Sequence, residues 1–315
     1  MIVDCHVHIC AATPAHGSMS PRLLNSIPFR FMRWHFGLAG NDAATERELE
    51  KIAARTIDET PGLDAAVMLA FDAVHTPDGY LDAENTHLYV KNDYVIELAG
   101  RYPKMLFGAS IHPYRKDAVA ELERCVAAGA VLMKWLPIVQ NFDPASERCI
   151  PFYEALAHHR LPLLSHTGGE QSLPSLDKSV ASPMLLEPAL RRGVTVIAAH
   201  CGTRSKPGET SYLQEFVQLA HRYENFYGDT SALNLPARWY AFDTILKDKV
   251  VRDKLVHGSD WPIISLPSPS RVGWSNVWEL MAEANWMRRD VLIKRQLAFD
   301  DAYWHRAATL LRIAK

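Results

Sequence analysis

Eight short apolar segments, each followed by an amphipathic one, constrain the fold of this chain more than any other feature of its sequence. The apolar segments have the length and composition of buried strands. Apolar residues in the segments between them recur every three to four positions, as they do in α-helices. Strands that alternate with helices form a parallel sheet, and eight such strands close into a barrel. The predicted strands span 2–6, 65–71, 105–111, 130–135, 162–166, 195–200, 226–229 and 255–258.

The amphipathic segments complete this pattern, and the sequence therefore predicts an α/β fold, a (β/α)8 TIM barrel. Such a barrel takes about 250 residues, so the 315 residues of the chain leave room for long loops at the C-terminal face. We predict one domain over residues 1–315, with C-terminal helices over about 275–313 and pocket-shaping loops at 9–43, 167–182 and 263–274. The predicted helices span 44–59, 84–102, 116–128, 146–159, 183–192, 209–223, 236–247, 275–285, 288–296 and 300–311.

Charge and cysteine content exclude several classes of protein. A formal net charge of -2 argues against a partner held mainly by charge, such as a nucleic acid or an anionic membrane. No apolar run approaches the ~20 residues of a membrane span. Because the first predicted strand begins at Ile2, we expect no signal peptide. The five cysteines include no Cys-x-x-Cys pair, so we expect no disulfide framework and a cytoplasmic protein with reduced thiols.

The first predicted strand carries a His-x-His motif, formed by His6 and His8 with Val7 between them. Alternate residues of a strand point to the same face, so the two imidazoles are neighbours. Two such groups can hold one divalent metal at about 2.0–2.1 Å from each nitrogen. The same alternation predicts that Cys5 faces away from the metal side, as a small packed apolar residue.

Four more polar residues stand where a predicted strand gives way to its loop. They are Lys134, His166, His200 and Asp260. Barrel enzymes of the alternating strand–helix kind place their catalytic groups at these strand ends. The sequence thus predicts that all four converge with the His-x-His motif on one site.

This ordered set resembles the metal-binding residues of the amidohydrolase superfamily. The contexts Ala-His-Cys-Gly at 199–202 and Gly-Ser-Asp-Trp-Pro at 258–262 are most similar to its second branch, which includes the aminocarboxymuconate-semialdehyde decarboxylase group. The resemblance covers essentially the whole chain and implies a metal-dependent barrel enzyme. It is specific for the fold and the metal site. It does not fix the substrate, because the branch holds lactonases, amide hydrolases, hydratases and decarboxylases.

The resemblance assigns His6, His8 and Asp260 to the more buried metal. In a one-metal site, His166 completes the ligand set, and His200 is free to polarise the substrate or to move a proton. In a two-metal site, both bind the second ion. Neutral imidazoles with a carboxylate suit zinc best, and also accommodate manganese, iron or cobalt.

Lys134 distinguishes these two versions of the site. An ammonium beside a divalent cation is repelled, so a lysine here must lose its charge or point away. In two-metal members of the superfamily that the chain resembles, the fourth-strand lysine is carboxylated and bridges the ions. In one-metal members a lysine here contacts an anionic substrate. The sequence favours two ions without excluding one.

Catalytic roles follow from the same chemistry. A metal lowers the pKa of a bound water from 15.7 towards ~7, and Asp260 is placed to take its proton and return it to the leaving group. His200 can hold the developing oxyanion. Asp229 either orients a ligand histidine or is a solvated loop residue.

Three residues are candidates for substrate binding, each with a structural alternative. Arg204 can bind a carboxylate through its planar fork, or lie on the surface. Trp135 lines the pocket only if the loop turns it back from the barrel wall. Arg33 belongs to the 9–43 segment, which otherwise forms an amphipathic helix covering the barrel mouth.

The leading hypothesis is a metal-dependent hydrolase that cleaves a small carboxylated lactone, ester or amide. The alternative is a metal-dependent decarboxylase of a small unsaturated carboxylic acid. A barrel that binds a metabolite without catalysis is a third possibility. The tryptophans and tyrosines after residue 274 predict either a homodimer face or packing on the barrel.

Overall fold

The computed structural model describes residues 1–297 and 299–313, and its centre is an eight-stranded parallel sheet. Neighbouring strands follow the order of the chain, as right-handed strand–helix connections require. Backbone hydrogen bonds join the last strand to the first, including Cys5 N to His257 O at 3.1 Å and Asp260 N to His6 O at 2.9 Å. The sheet therefore closes into a (β/α)8 barrel. Its strands are β1 (Val3–His8), β3 (Ala65–Leu69), β5 (Met105–Ala109), β6 (Leu132–Trp135), β7 (Leu163–His166), β8 (Val196–Ala199), β9 (Phe226–Asp229) and β10 (Leu255–Val256).

A separate two-stranded antiparallel sheet, which the sequence did not predict, stands at the barrel mouth. It pairs β2 (Gly17–Met19) with β4 (Leu88–Val90) and so fastens the first loop to the second. This pairing also corrects the helix predicted over 84–102. That helix begins only at Asn92, because residues 88–90 are extended against the first loop.

The remaining predicted helices are present, several of them shorter than expected. The predicted helix over 236–247 is the exception, since turns up to Tyr240 and one short helix over Ala241–Ile245 occupy that range. The helices are α1 (Pro21–Leu24), α2 (Ile27–His35), α3 (Ala43–Asp58), α4 (Asn92–Arg101), α5 (Ala118–Ala127), α6 (Pro137–Gln140), α7 (Ile150–His159), α8 (Glu187–Arg191), α9 (Leu213–Arg222), α10 (Ala241–Ile245), α11 (Lys249–Arg252), α12 (Pro269–Val272), α13 (Trp274–Ala282), α14 (Trp286–Arg295) and α15 (Asp301–Leu310), with 3₁₀ turns at Glu147–Cys149, Lys178–Ala181, Pro183–Leu186 and His200–Gly202.

Two apolar cores flank the strands, one inside the barrel and one between the strands and the helices. The interior core includes Leu132, Leu164 and Ile197, all fully buried, and α15 closes it from below with Ala307 and Leu311. The larger core lies between the outer faces of the strands and the surrounding helices. No helix among the described residues is long and apolar enough to cross a membrane.

Candidate metal centre

The His-x-His motif lies at the end of β1, beside a break in the strand register. Asp4 pairs with Ala66 and Val7 with Met68, so β1 carries one more residue than β3 over this stretch, which is a β-bulge. His6 and His8 point to the same site, as alternation predicts, and their Nε2 atoms are 3.0 Å apart. The bulge also brings Cys5 into the interior core, so the prediction that it faces away from this side was wrong.

Asp260 reaches the same point from the loop after β10. Its Oδ1 lies 3.2 Å from His6 Nε2 and 3.3 Å from His8 Nε2. The three donor atoms lie within 4.8 Å of one another, close enough to bind a single ion. The backbone of Asp260 is left-handed, with φ of 67°. Such a conformation costs a non-glycine residue about 1–3 kcal/mol and is characteristic of functional sites.

His166 ends β7, His200 directly follows β8, and both line the same cavity. Their rings lie 4.9 Å apart, and the His200 ring stacks 5.3 Å from that of His6. His200 Nδ1 is 2.9 Å from the carbonyl oxygen of Ser231, which leaves its Nε2 facing the site. Within the described residues His166 Nε2 is buried without a hydrogen-bond partner. A buried nitrogen left unpaired in this way is a ready donor for a metal.

Asp229, at the end of β9, is fully buried and holds two of the histidines in place. Its Oδ2 lies 2.6 Å from His6 Nδ1, and its Oδ1 accepts the backbone N–H of His200 at 2.8 Å. Proton donation from Nδ1 to the carboxylate leaves the Nε2 lone pair of His6 free for a metal, the usual arrangement around metal-binding histidines. The orienting role is therefore the one that the geometry supports, and Asp229 is not a solvated loop residue.

Lys134 lies beneath these donors in the barrel wall. It is fully buried, and its Nζ is 2.9 Å from His6 Nε2. Burial lowers the pKa of Lys134 to about 8, against the opposing effect of Asp260. The lowered pKa makes the neutral amine, which is the form that a neighbouring cation tolerates, easier to reach than it is for an exposed lysine.

The pKa shifts of the histidines also favour metal binding. Burial lowers the pKa of His6, His166 and His200, so all three are neutral imidazoles with a free lone pair. Burial alone would raise the pKa of Asp260, but His6 and His8 hold it below its usual value, and it stays a carboxylate. Neutral imidazoles around one carboxylate are a donor set that fits a divalent ion.

A cavity of about 270 Å³ opens above these donors. Helix α2, from the long first loop, covers one side of it with Phe29, Phe31 and Met32. Further walls come from the loops that follow β7, β9 and β10 and from Trp286 on α14. Most of this lining is apolar. The apolar residues that contribute are Leu23, Pro28, Phe29, Phe31, Met32, Phe71, Leu88, Leu136, Leu173, Ala232, Leu235, Pro262, Ile263, Ile264 and Trp286.

Two charged residues in the lining were not singled out from the sequence. Arg238 is 4% exposed and donates to Thr203 Oγ1 and to the carbonyl of Gly169, while its Nε has no partner among the described residues. Glu170 accepts the backbone N–H of Leu173 at 3.0 Å, and burial raises its pKa. Arg238 was not singled out because it falls within the helix predicted over 236–247. In the sequence, the pair Gly168-Gly169 was the only indication of the turn that places Glu170 beside the candidate metal centre.

The three residues predicted to bind substrate lie outside this cavity. Trp135 is fully buried in the outer core, stacked on Phe152, because it alternates with Lys134 along β6. Arg33 points away from the cavity and donates to the carbonyls of Ala39 and Gly40. Arg204 lies 4.4 Å above the ring of Tyr240.

The fold and this donor set define a class, the metal-dependent barrel enzymes. The model of the amidohydrolase family matches residues 3–289, and the chain belongs to that family. Its members are enzymes, hydrolases or decarboxylases, and the family is metal-dependent.

Solved structures with low sequence identity share the fold. An uncharacterized TIM-barrel protein from Bordetella bronchiseptica is 17% identical, with a TM-score of 0.66 over 99% of this chain and 98% of the other. A probable 2-pyrone-4,6-dicarboxylic acid hydrolase from Acinetobacter baumannii is 14% identical, with a TM-score of 0.60 over 99% of each chain. A 2,6-dihydroxybenzoate decarboxylase from Rhizobium is also 14% identical, with a TM-score of 0.57 over 99% of each chain. No protein of the curated set matches this chain in sequence.

Proposed function

We propose that this protein is a metal-dependent hydrolase that cleaves a lactone, ester or amide bond in a small carboxylated substrate. The observation that carries the proposal is the convergence of His6, His8, His166, His200 and Asp260 in the lining of one cavity. The ionised Asp260 stands there beside neutral imidazoles, which is the pairing of base and metal donors that water activation needs.

His6, His8, His166 and Asp260 would hold the ion, and we propose zinc as the metal. When bound, the ion supplies Lewis acidity and acidifies a water molecule to a pKa of about 7. Asp229 keeps His6 in the required tautomer. Asp260 accepts the proton of the attacking water and returns it to the leaving group. His200, with its Nδ1 fixed by Ser231, directs Nε2 at the oxygen on which charge develops.

Arg238 takes over the role that the sequence assigned to Arg204. It is the cationic side chain that lines the cavity among the described residues, and its planar guanidinium suits a carboxylate. Glu170 and Asp260 line the same cavity and would repel a second carboxylate. The apolar walls accommodate the rest of the molecule, so the substrate carries one carboxylate on an otherwise apolar body.

The direct test is turnover in oxygen-18 water over a panel of carboxylated lactones, esters and amides. Hydrolysis predicts one labelled oxygen in the acid product, and Asp260→Asn serves as the inactive control. Turnover that releases carbon dioxide without incorporating solvent oxygen would contradict hydrolysis.

The alternative is decarboxylation of a small unsaturated acid by the same donors. The apolar lining favours it, since loss of carbon dioxide needs no water in the cavity. The same panel, extended to unsaturated acids, separates the two reactions through the label and the released gas.

The number of ions depends on Lys134, which we propose to be carboxylated when two ions are bound. Metal content per protomer, measured by mass spectrometry on protein never exposed to chelator, tests this. About two ions, falling to one or none in Lys134→Ala, would support the bridging role, and carbon-13 NMR after labelling with bicarbonate should then detect the carbamate. About one ion in both proteins would make Lys134 a substrate contact. No metal in either would contradict the proposed catalysis. A cytoplasmic location remains a prediction from the cysteine content.

A further inference from the structure

Helix α2 presents a stripe of apolar side chains to solvent. Ile27, Phe31 and Trp34 follow one another at helical spacing and are 83%, 44% and 76% exposed. The opposite side of the helix buries Phe29 and Met32 in the core. Phe31 also lines the cavity, but Ile27 and Trp34 remain largely exposed, which is more apolar surface than a helix covering a pocket needs.

Helix α13 carries a second stripe of the same kind. Trp274, Trp278 and Met281 share one face and are 74%, 78% and 40% exposed. The inner face of α13 buries Leu280. Large apolar side chains are rarely left this exposed in a row on a monomer, and contiguous patches of several hundred Å² mark interaction surfaces.

The two stripes flank the same helix, α14. His35, near the end of α2, stacks on Trp286 at 3.9 Å between ring centroids. Arg289, one turn further along α14, donates to the backbone carbonyl of Met281 at 3.2 Å. Both stripes therefore belong to one side of the barrel, beside its mouth.

The exposed area is of the size that a stable dimer needs. Trp34, Trp274 and Trp278 each expose about three quarters of a side chain. Aromatic side chains bury about 150–250 Å² each, so the three amount to roughly 450 Å². A standard interface takes about 800 Å² from each partner, and the other three residues of the stripes supply much of the remainder.

The charges around the stripes are opposite in sign. The segment 17–40 contains arginines and no acidic residue. In 273–287 the acidic residues are Glu279 and Glu283, but Glu283 is already paired with Arg288 at 3.0 Å, which leaves Glu279 as the acidic charge that α13 presents. Arg30 and Glu279 are exposed, and neither has an ion-pair partner among the described residues. Arg30 on α2 is thus complementary in charge to Glu279 on α13.

We propose that these two helices form the interface with a second copy of this chain, α2 of each protomer packing on α13 of its partner. In a two-fold symmetric dimer every such contact is made twice, so both stripes of both protomers are covered. A membrane fits less well, because anionic lipids would attract α2 and repel α13. The dimer would hold α2 over the cavity, since Phe31 belongs both to the stripe and to the cavity lining.

Sedimentation velocity of the full chain over a wide concentration range tests this without any substrate. We expect a dimer for the native protein. Trp34→Glu and Trp278→Glu should each raise the dissociation constant by roughly a hundredfold or more, as loss of a buried aromatic anchor does. Tyr80→Glu is the matched control, because Tyr80 is 63% exposed but lies outside both helices, and it should leave the dimer intact.

A charge reversal tests which helices meet. Arg30→Glu and Glu279→Arg should each weaken the dimer by about tenfold, and the double variant should recover most of the loss. A double variant no tighter than the singles would overturn the pairing of α2 with α13. A monomer at every concentration, a dimer unaffected by both tryptophan changes, or a monomer that cosediments with phosphatidylserine vesicles would overturn the proposed interface. Far-UV circular dichroism confirms that each variant is folded.

Discussion

Two buried polar clusters stand at the C-terminal ends of the barrel strands, and they differ in how their hydrogen bonds are satisfied. In the candidate metal centre, His6, His8 and Asp260 crowd their donor atoms to within 3.3 Å, and His166 Nε2 has no partner among the described residues. In the cluster after β3 and β5, Asp72 accepts the backbone N–H of His112 at 2.7 Å and contacts Arg115 at 3.3 Å.

The second cluster is complete without a ligand. His112 Nε2 donates to the carbonyl of Gln140 at 2.9 Å, and its Nδ1 accepts the N–H of Tyr114 at 3.1 Å. The Gln140 side chain in turn bonds Leu136 N and Asp72 O. Both clusters contain histidine and aspartate at similar depth. Residue type and burial therefore do not distinguish a structural network from a metal centre, whereas unpaired and crowded lone pairs do.

The largest expected effect is at Asp260. Asp260→Asn keeps the size of the side chain but removes the proton acceptor and a metal donor. We expect turnover to fall by about 10²–10⁴-fold, the usual contribution of general acid–base catalysis, and bound metal to decrease. Turnover on the substrate found in the panel and metal content by mass spectrometry measure both. Asp72→Asn should leave metal content unchanged, and a loss there would mean that the two clusters are not independent.

Changes in the cluster around Asp72 and His112 should lower the free energy of unfolding rather than the metal content. Asp72→Ala leaves Arg115 and the His112 N–H without their buried acceptor, and we expect the free energy of unfolding to fall by about 3 kcal/mol. Urea unfolding at neutral pH measures it. Asp117→Ala removes the other carboxylate that pairs with Arg115. Because the Asp117 side chain is 59% exposed, this change should lower the free energy of unfolding by less than about 1 kcal/mol. Equal losses in the two variants would contradict the assignment of Asp72 as the buried anchor.

Asp229 shares a feature with each cluster. Its carboxylate is fully hydrogen-bonded, and one of its partners is the proposed metal ligand His6. Asp229→Asn should weaken metal binding by about 10–100-fold, as loss of a carboxylate behind a ligand histidine does. Competition with a chromogenic chelator measures the affinity. Ser231→Ala removes a neighbour of both His6 and His200 without removing the charge, and a smaller loss is expected there. Unchanged affinity in Asp229→Asn would exclude the orienting role.

The eight strands and most of the metal donors follow from the sequence for one physical reason. A buried strand is a short apolar run, and a polar residue at its end lies at the barrel mouth, so His166, His200 and Asp260 could be placed from local pattern alone. Lys134 and Trp135 show the same rule, since alternation along β6 puts one inside the barrel and the other outside.

The parts that escaped prediction depend on contacts distant in sequence. The bulge in β1 is set by pairing with β3 and β10, and it moved Cys5 to the interior. Arg238 lies in turns whose apolar spacing imitates a helix, so its position in the cavity depends on bonds to Thr203 and Gly169 in other loops. Residues 88–90 fit the start of a helix by their sequence pattern, but in the structure they pair with β2 as a strand.

The smallest effect expected is a pH dependence at His112. Burial lowers the pKa of His112 from 6.5 to about 3, so the folded protein holds it neutral while the unfolded chain binds a proton below pH 6.5. Its contribution to stability is complete above pH 6.5 and is lost as the pH falls from 6.5 towards 3, by about 1.4 kcal/mol for each unit.

His112→Gln, which can still donate to Gln140 O, should be closer to the native protein in stability at pH 5.5 than at pH 7.5. The exposed His158→Gln controls for loss of a histidine as such. Urea unfolding at both pH values decides between the outcomes, because the buried histidines of the metal centre contribute equally to all three proteins and cancel in the comparison. A gap between His112→Gln and the native protein that stays constant with pH would mean that His112 is not held neutral by burial.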